Sequence, residues 1–194
     1  MQKLVLSLAR GMAFLGGAVL TMLIVLTCVS VVGRMLNGAL HGDFAQDLFP
    51  DFADWLIKLG VGPVLGDFEL VEAGVAFAIF AFLPFCQITG GHASVDIFTS
   101  KLPLRINRLI QVAVDIVFAA VLILIAQRLY VGLLDKQQYN ETTFMLQFPI
   151  WWAYAASLIA AALAAAVGVY VAVSRIIEIL SGRSILPNPE GMEH

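Results

Sequence analysis

The sequence predicts an all-α membrane protein: four transmembrane helices with interfacial amphipathic helices, and both termini cytoplasmic. Three observations predict it. Hydrophobic residues make up 60% of the chain and charged residues only 13%, against about 25% charged in a soluble domain. Mean hydropathy is +0.91. Four apolar runs reach the ~20 residues that a helix needs to cross the hydrocarbon core. In lipid, only a helix satisfies every backbone group within one segment, so four runs mean four helices.

The chain is expected to form a single four-helix membrane domain over residues 1–194. The first span covers about 11–33. Lys3 and Arg10 precede it as they would a signal peptide. The apolar run, however, exceeds the ~7–15 residues of a signal core, and no A-x-A-like site follows, so the span is expected to be retained. An external insert, about 43–62, contains a short amphipathic helix. In it Phe49, Phe52, Leu56 and Leu59 recur at spacings of three and four beside Trp55, with Pro50 in the first turn. Such a helix suits the membrane surface or a docked partner protein. The second span covers about 68–88. Gly90 and Gly91 break it, and a cytoplasmic interfacial segment follows at 91–103. The third span covers about 105–130 and the fourth about 149–180, leaving a tail at 181–194. Ala156, Ala160, Ala164 and Gly168 recur every four residues in the fourth span, a small-residue face suited to close helix packing.

Orientation follows from lysine and arginine, which favour the cytoplasmic side. Lys3, Arg10, Lys101, Arg105, Arg108, Arg175 and Arg183 fall on the side of the two termini. Lys58, Lys136, Arg34 and Arg128 fall on the other, which also holds Asp43, Asp47, Asp51, Asp54 and Asp67.

Polar residues at or near membrane depth are the functional candidates. Arg34 closes the first span on the outer side, either as a snorkelling anchor or paired with Glu69 or Glu72. Those two glutamates are three apart, share a helix face, and also suit a helix N-terminus. His92 and Asp96 are four apart and can share a helix face. Asp115 lies about 15 Å into the third span by its helical rise. It is read as an aspartate hydrogen-bonded within the bundle beside Gln111, or alternatively as an ion or proton relay.

No catalytic, cofactor-binding or metal constellation is recognisable. The histidines, His41, His92 and His194, lie outside the middle of every apolar run, where a membrane haem would need them. Cys28 and Cys86 fall within apolar runs and read as small apolar fillers. A net charge of −3 excludes the basic stripe that nucleic acid requires. Membrane lipids are expected partners. The alternatives in other classes are a four-helix membrane redox anchor and a small ion channel built on Asp115.

Gly91-His92-Ala93-Ser94-Val95-Asp96, followed by Leu102-Pro103, resembles the G-x-H-x-x-V-D … L-P signature of one family. That family is the small (Q-type, DctQ-like) membrane subunit of tripartite ATP-independent periplasmic (TRAP) transporters. Arg34, the acidic pair Glu69 and Glu72, Gly132, and Leu146-Gln147-Phe148-Pro149 with Trp152 and Tyr154 stand where the family has similar residues. The chain departs from the pattern at Thr89 and Gly90, where the family often has an arginine. Its acidic pair is also separated by Leu70 and Val71, and its external loop is longer. The resemblance implies a non-catalytic scaffold in the bacterial inner membrane. It implies a large membrane subunit that carries the substrate and sodium sites, and a periplasmic binding protein that delivers an organic acid.

Overall fold

The computed structural model describes residues 2–42, 50–90 and 104–181. The described residues are helical apart from short connections and one isolated bridge between Thr142 and Pro149. The helices are α1 (Gln2–Leu40), α2 (Pro50–Lys58), α3 (Asp67–Thr89), α4 (Leu104–Gln138) and α5 (Trp151–Ser181). All but α2 are long and apolar enough to cross a membrane.

The long helices run past the expected spans, because polar residues end a hydropathy run without ending a helix. At 1.5 Å per residue, α1 measures about 58 Å and α4 about 52 Å, well beyond a ~30 Å hydrocarbon core. The run expected to stop near residue 130 continues to Gln138, because Gln127, Arg128, Asp135 and Lys136 are good helix formers or tolerated ones. By contrast α3 spans only about 34 Å. It starts after Gly66 and stops at Gly90, whose φ of 65° lets its N–H bond back to Cys86 and Gln87 as a C-terminal cap. The expected amphipathic helix of the insert is Pro50–Lys58, with Asp51 in its first turn and Lys58 in its last, each complementing the helix dipole.

The four long helices pack in the spatial order α1, α3, α5, α4, as a row with α3 and α5 inside. Burial follows this order. Half of the most apolar window of α5 is buried, 28% of that of α3, and 11% in each of α1 and α4. Small side chains make the inner contacts close. Ala81 and Ala160 meet around Met12, while Ala164 and Ala165 meet Leu122. Of the expected small-residue face, Ala160, Ala164 and Gly168 are buried, and Ala156 is half-buried. A Cβ on Gly168 would press on the Gln87 side chain, with the Ala119 backbone just beyond.

Contacts along the row define a ladder of levels. At one end Arg34 on α1 faces Asp67 on α3. At the other, Ala9, Ile88, Val167 and Val171 form one buried cluster from α1, α3 and α5. Both α1 and α5 therefore have their chain-terminal ends on the same side of the row. Here α3 stops soon after Gln87, which lies against Gly168. From Gly168 to Ser181, α5 continues for about 20 Å beside α4, with α1 and the end of α3 reaching it at Val171. The row is thus stepped, and the α4–α5 pair overhangs the end of α3.

Candidate functional site

Polar side chains gather at two levels of this ladder. At the level of Arg34 the connection after α2 crosses α1 closely. A Cβ on Gly33 would overlap the Gly62 carbonyl, so glycine at this position lets two backbones meet. One turn away, the buried Ser30 hydroxyl donates to Asp67 Oδ2 at 2.5 Å and accepts from the Val64 N–H at 3.3 Å. Asp67 Oδ1 accepts from the Phe68 N–H in the first turn of α3, where a carboxylate complements the helix dipole. Arg34 Nη2 lies 3.6 Å from Asp67 Oδ2, with the arginine side chain 65% exposed. Arg34 is therefore partnered by Asp67, in place of Glu69 or Glu72. The helix begins at Asp67, so the two glutamates lie further along α3 on its side toward the α4–α5 connection.

Glu69 has a different task. Its two carboxylate oxygens accept from the Met145 N–H at 2.6 Å and the Leu146 N–H at 2.9 Å. A single side chain on α3 thus fixes the connection between α4 and α5. Lys136 Nζ donates to Glu141 at 2.6 Å at the base of the same connection. The loop is closed by Thr143 N–H to Phe148 and Ile150 N–H to Glu141. Beneath it lies a cavity of about 290 Å³ reached by Glu69, Glu72, Leu129, Tyr154 and Ser157. The Glu72 carboxylate is exposed at this cavity. Gly132, expected beyond the third span, lies within α4, where the Tyr154 ring packs against it. Trp55 is 56% exposed on α2.

At the opposite level, toward the chain-terminal ends of α1 and α5, Asp115 on α4 pairs with Arg175 on α5. Arg175 Nε lies 2.7 Å from Asp115 Oδ2, and both side chains are 20% exposed. Arg175 Nη1 also donates to Gln111 Oε1 at 2.9 Å. The expected neighbour of Asp115, Gln111, thus acts through a guanidinium that sequence reasoning did not connect with it. The signal was present: Gln111 and Asp115 are four apart on one face, and Arg175 is the first charge after the long apolar stretch of α5. The pair lies beyond the Gln87–Gly168 contact, on the overhanging part of the hairpin. It is about 35 Å from the far end of α4.

His92 and Asp96, with the segment 91–103, lie outside the described residues, as do 43–49 and the tail after Ser181. Among the described residues no group of three His, Cys, Asp or Glu is placed to hold a metal ion. The arrangement ties helices and loops to one another through carboxylates, and all three main acids, Asp67, Glu69 and Asp115, are engaged within the chain.

A protein-family profile described as "Tripartite ATP-independent periplasmic transporters, DctQ component" matches residues 52–178, from α2 to the last turn of α5. No curated protein and no solved structure matches the chain.

Proposed function

The chain belongs to the DctQ component family of the tripartite ATP-independent periplasmic transporters, and from that premise we propose that it is a membrane scaffold. In this reading it braces a large transport subunit in the bacterial inner membrane and helps seat a periplasmic binding protein. The complex takes up an organic acid, driven by sodium whose sites lie in the large subunit. The side carrying the two chain-terminal helix ends is cytoplasmic, as the lysine and arginine distribution favours.

The observation that carries the reading is the open row. In its two flanking helices, α1 and α4, only 11% of the most apolar window is buried by this chain, against half of that window in α5. Lipid covers such a surface as readily as protein, but a transport pathway needs polar groups enclosed between helices. Here the polar groups bind the row's own parts together. Asp115, the acid on which an ion channel would depend, is held by Arg175 at 2.7 Å, which disfavours the channel reading.

Affinity purification tests the scaffold. Tagged chain, expressed with its genomic neighbours, should bring down a much larger multi-span membrane protein in mild detergent. Purification as a free monomer or self-oligomer, with the neighbours present and expressed, contradicts the reading.

A further inference from the structure

The cavity beneath the α4–α5 connection holds charge and hydrogen-bonding capacity that the chain itself does not use. Its volume is about 290 Å³, the small end of the range for ligand pockets, which suits one compact group. Two carboxylates, Glu69 and Glu72, reach it, and no basic residue lines it. Glu69 is committed to the Met145 and Leu146 N–H groups but keeps its negative charge. Glu72 is exposed and has no ion pair or hydrogen bond among the described residues. Ser157 on α5 also lines the cavity and is only 2% exposed, yet its hydroxyl has no partner. Native structures keep few such hydroxyls, because leaving one buried and unbonded is costly.

The lining decides the chemistry of what fits. Two carboxylates without a cation beside them oppose any anion, so a carboxylate or phosphate is disfavoured. A hard metal ion takes several oxygen ligands, and no group of three His, Cys, Asp or Glu among the described residues is placed to hold one. Much of the wall is apolar, with Leu129, Phe148 and Tyr154 contributing the largest side chains. An aromatic face attracts an organic cation through its quadrupole. A carboxylate, a hydroxyl and two aromatic rings around an apolar wall therefore suit an alkylammonium. Glu72 meets its charge, the Ser157 oxygen accepts one hydrogen bond, and the carbon stem lies against Leu129 and the rings.

We propose that this cavity binds a primary ammonium group carried on a short carbon stem. The ethanolamine headgroup of a phospholipid and a free alkylamine both present that group. Bound there, the cation joins α3 to the α4–α5 connection, in parallel with the contact that Glu69 makes. The inference stands apart from the scaffold reading and needs no partner subunit.

Butylammonium chloride is titrated into the full-length chain, purified in mild detergent and stripped of lipid. Sodium chloride at equal ionic strength and sodium butyrate serve as controls. The melting temperature should rise saturably with butylammonium alone. Glu72→Gln should weaken this binding by about tenfold or more, and Ser157→Ala by about threefold or more. Neither substitution should lower the melting temperature of the chain without amine, because neither side chain has a partner within it. Nanodiscs containing phosphatidylethanolamine or phosphatidylglycerol separate the two sources. A higher melting temperature in phosphatidylethanolamine, lost with Glu72→Gln and accompanied by blocked butylammonium binding, supports the site with the lipid as its ligand. Equal melting temperatures in the two lipids, with butylammonium still bound, support it with a free amine. The inference is overturned if butylammonium gives no saturable shift and the lipids do not differ. An equal shift in Glu72→Gln, or a loss of stability without amine in both variants, overturns it as well.

Discussion

Asp115 and Arg175 join α4 to α5 in the part of the hairpin that extends past the end of α3, so their pairing sets the register of that hairpin. Removing one partner leaves the other charge half-buried and unpaired. Arg175→Met or Asp115→Leu should therefore cost about 2–3 kcal/mol, below the range for fully buried pairs because both side chains keep some exposure. The exchange Asp115→Arg with Arg175→Asp should recover part of that loss, and thermal unfolding in detergent reads both. A second residue-scale prediction concerns glycine. Gly33→Ala should destabilise the chain, because its Cβ would overlap the Gly62 carbonyl, a backbone atom that cannot rotate away. Gly38→Ala on the same helix meets nothing within 4 Å and should be neutral or slightly stabilising. The sequence made Arg34, Glu69 and Asp115 visible as polar residues bordering or interrupting apolar runs. Their partners were not visible. Asp67 reads as a loop residue until the helix start is known, and Met145 offers Glu69 only a backbone N–H, which no side-chain pattern announces.

At the scale of elements, the connection between α4 and α5 depends on a carboxylate from α3. Glu69→Ala should leave the helices in place but raise hydrogen exchange across 141–150, most of all at Met145 and Leu146. Exchange in α1 should not change. The seam between α3 and α5 depends instead on small residues. Ala160→Leu forces volume into a fully buried position and should cost about 1–3 kcal/mol in thermal unfolding. Ala162→Leu, on an exposed position two residues away, should be neutral by the same measurement. Four helices were legible from apolar runs alone, because lipid admits few other solutions. Their lengths were not. Arg128 reads as a span end when apolar composition sets the boundary, and as an interior charge once α4 is seen to reach Gln138. Helix propensity carries a chain through polar residues that a hydropathy count treats as a stop.

For the whole molecule, the row of α1, α3, α5 and α4 leaves both flanks open, and the overhang of α4 and α5 makes its two ends unlike. The order of packing was not legible in the sequence. All four spans are apolar on every side, and only the small residues of α5 hinted that it lies inside. A member of a transporter family built this way is read here as a support for a moving partner, with no transport path of its own. Reconstitution into liposomes tests that claim most directly. Substrate uptake should require the large subunit, the binding protein and this chain together, and liposomes holding this chain alone should pass neither substrate nor ions above background. Uptake or conductance by the chain alone would contradict the account.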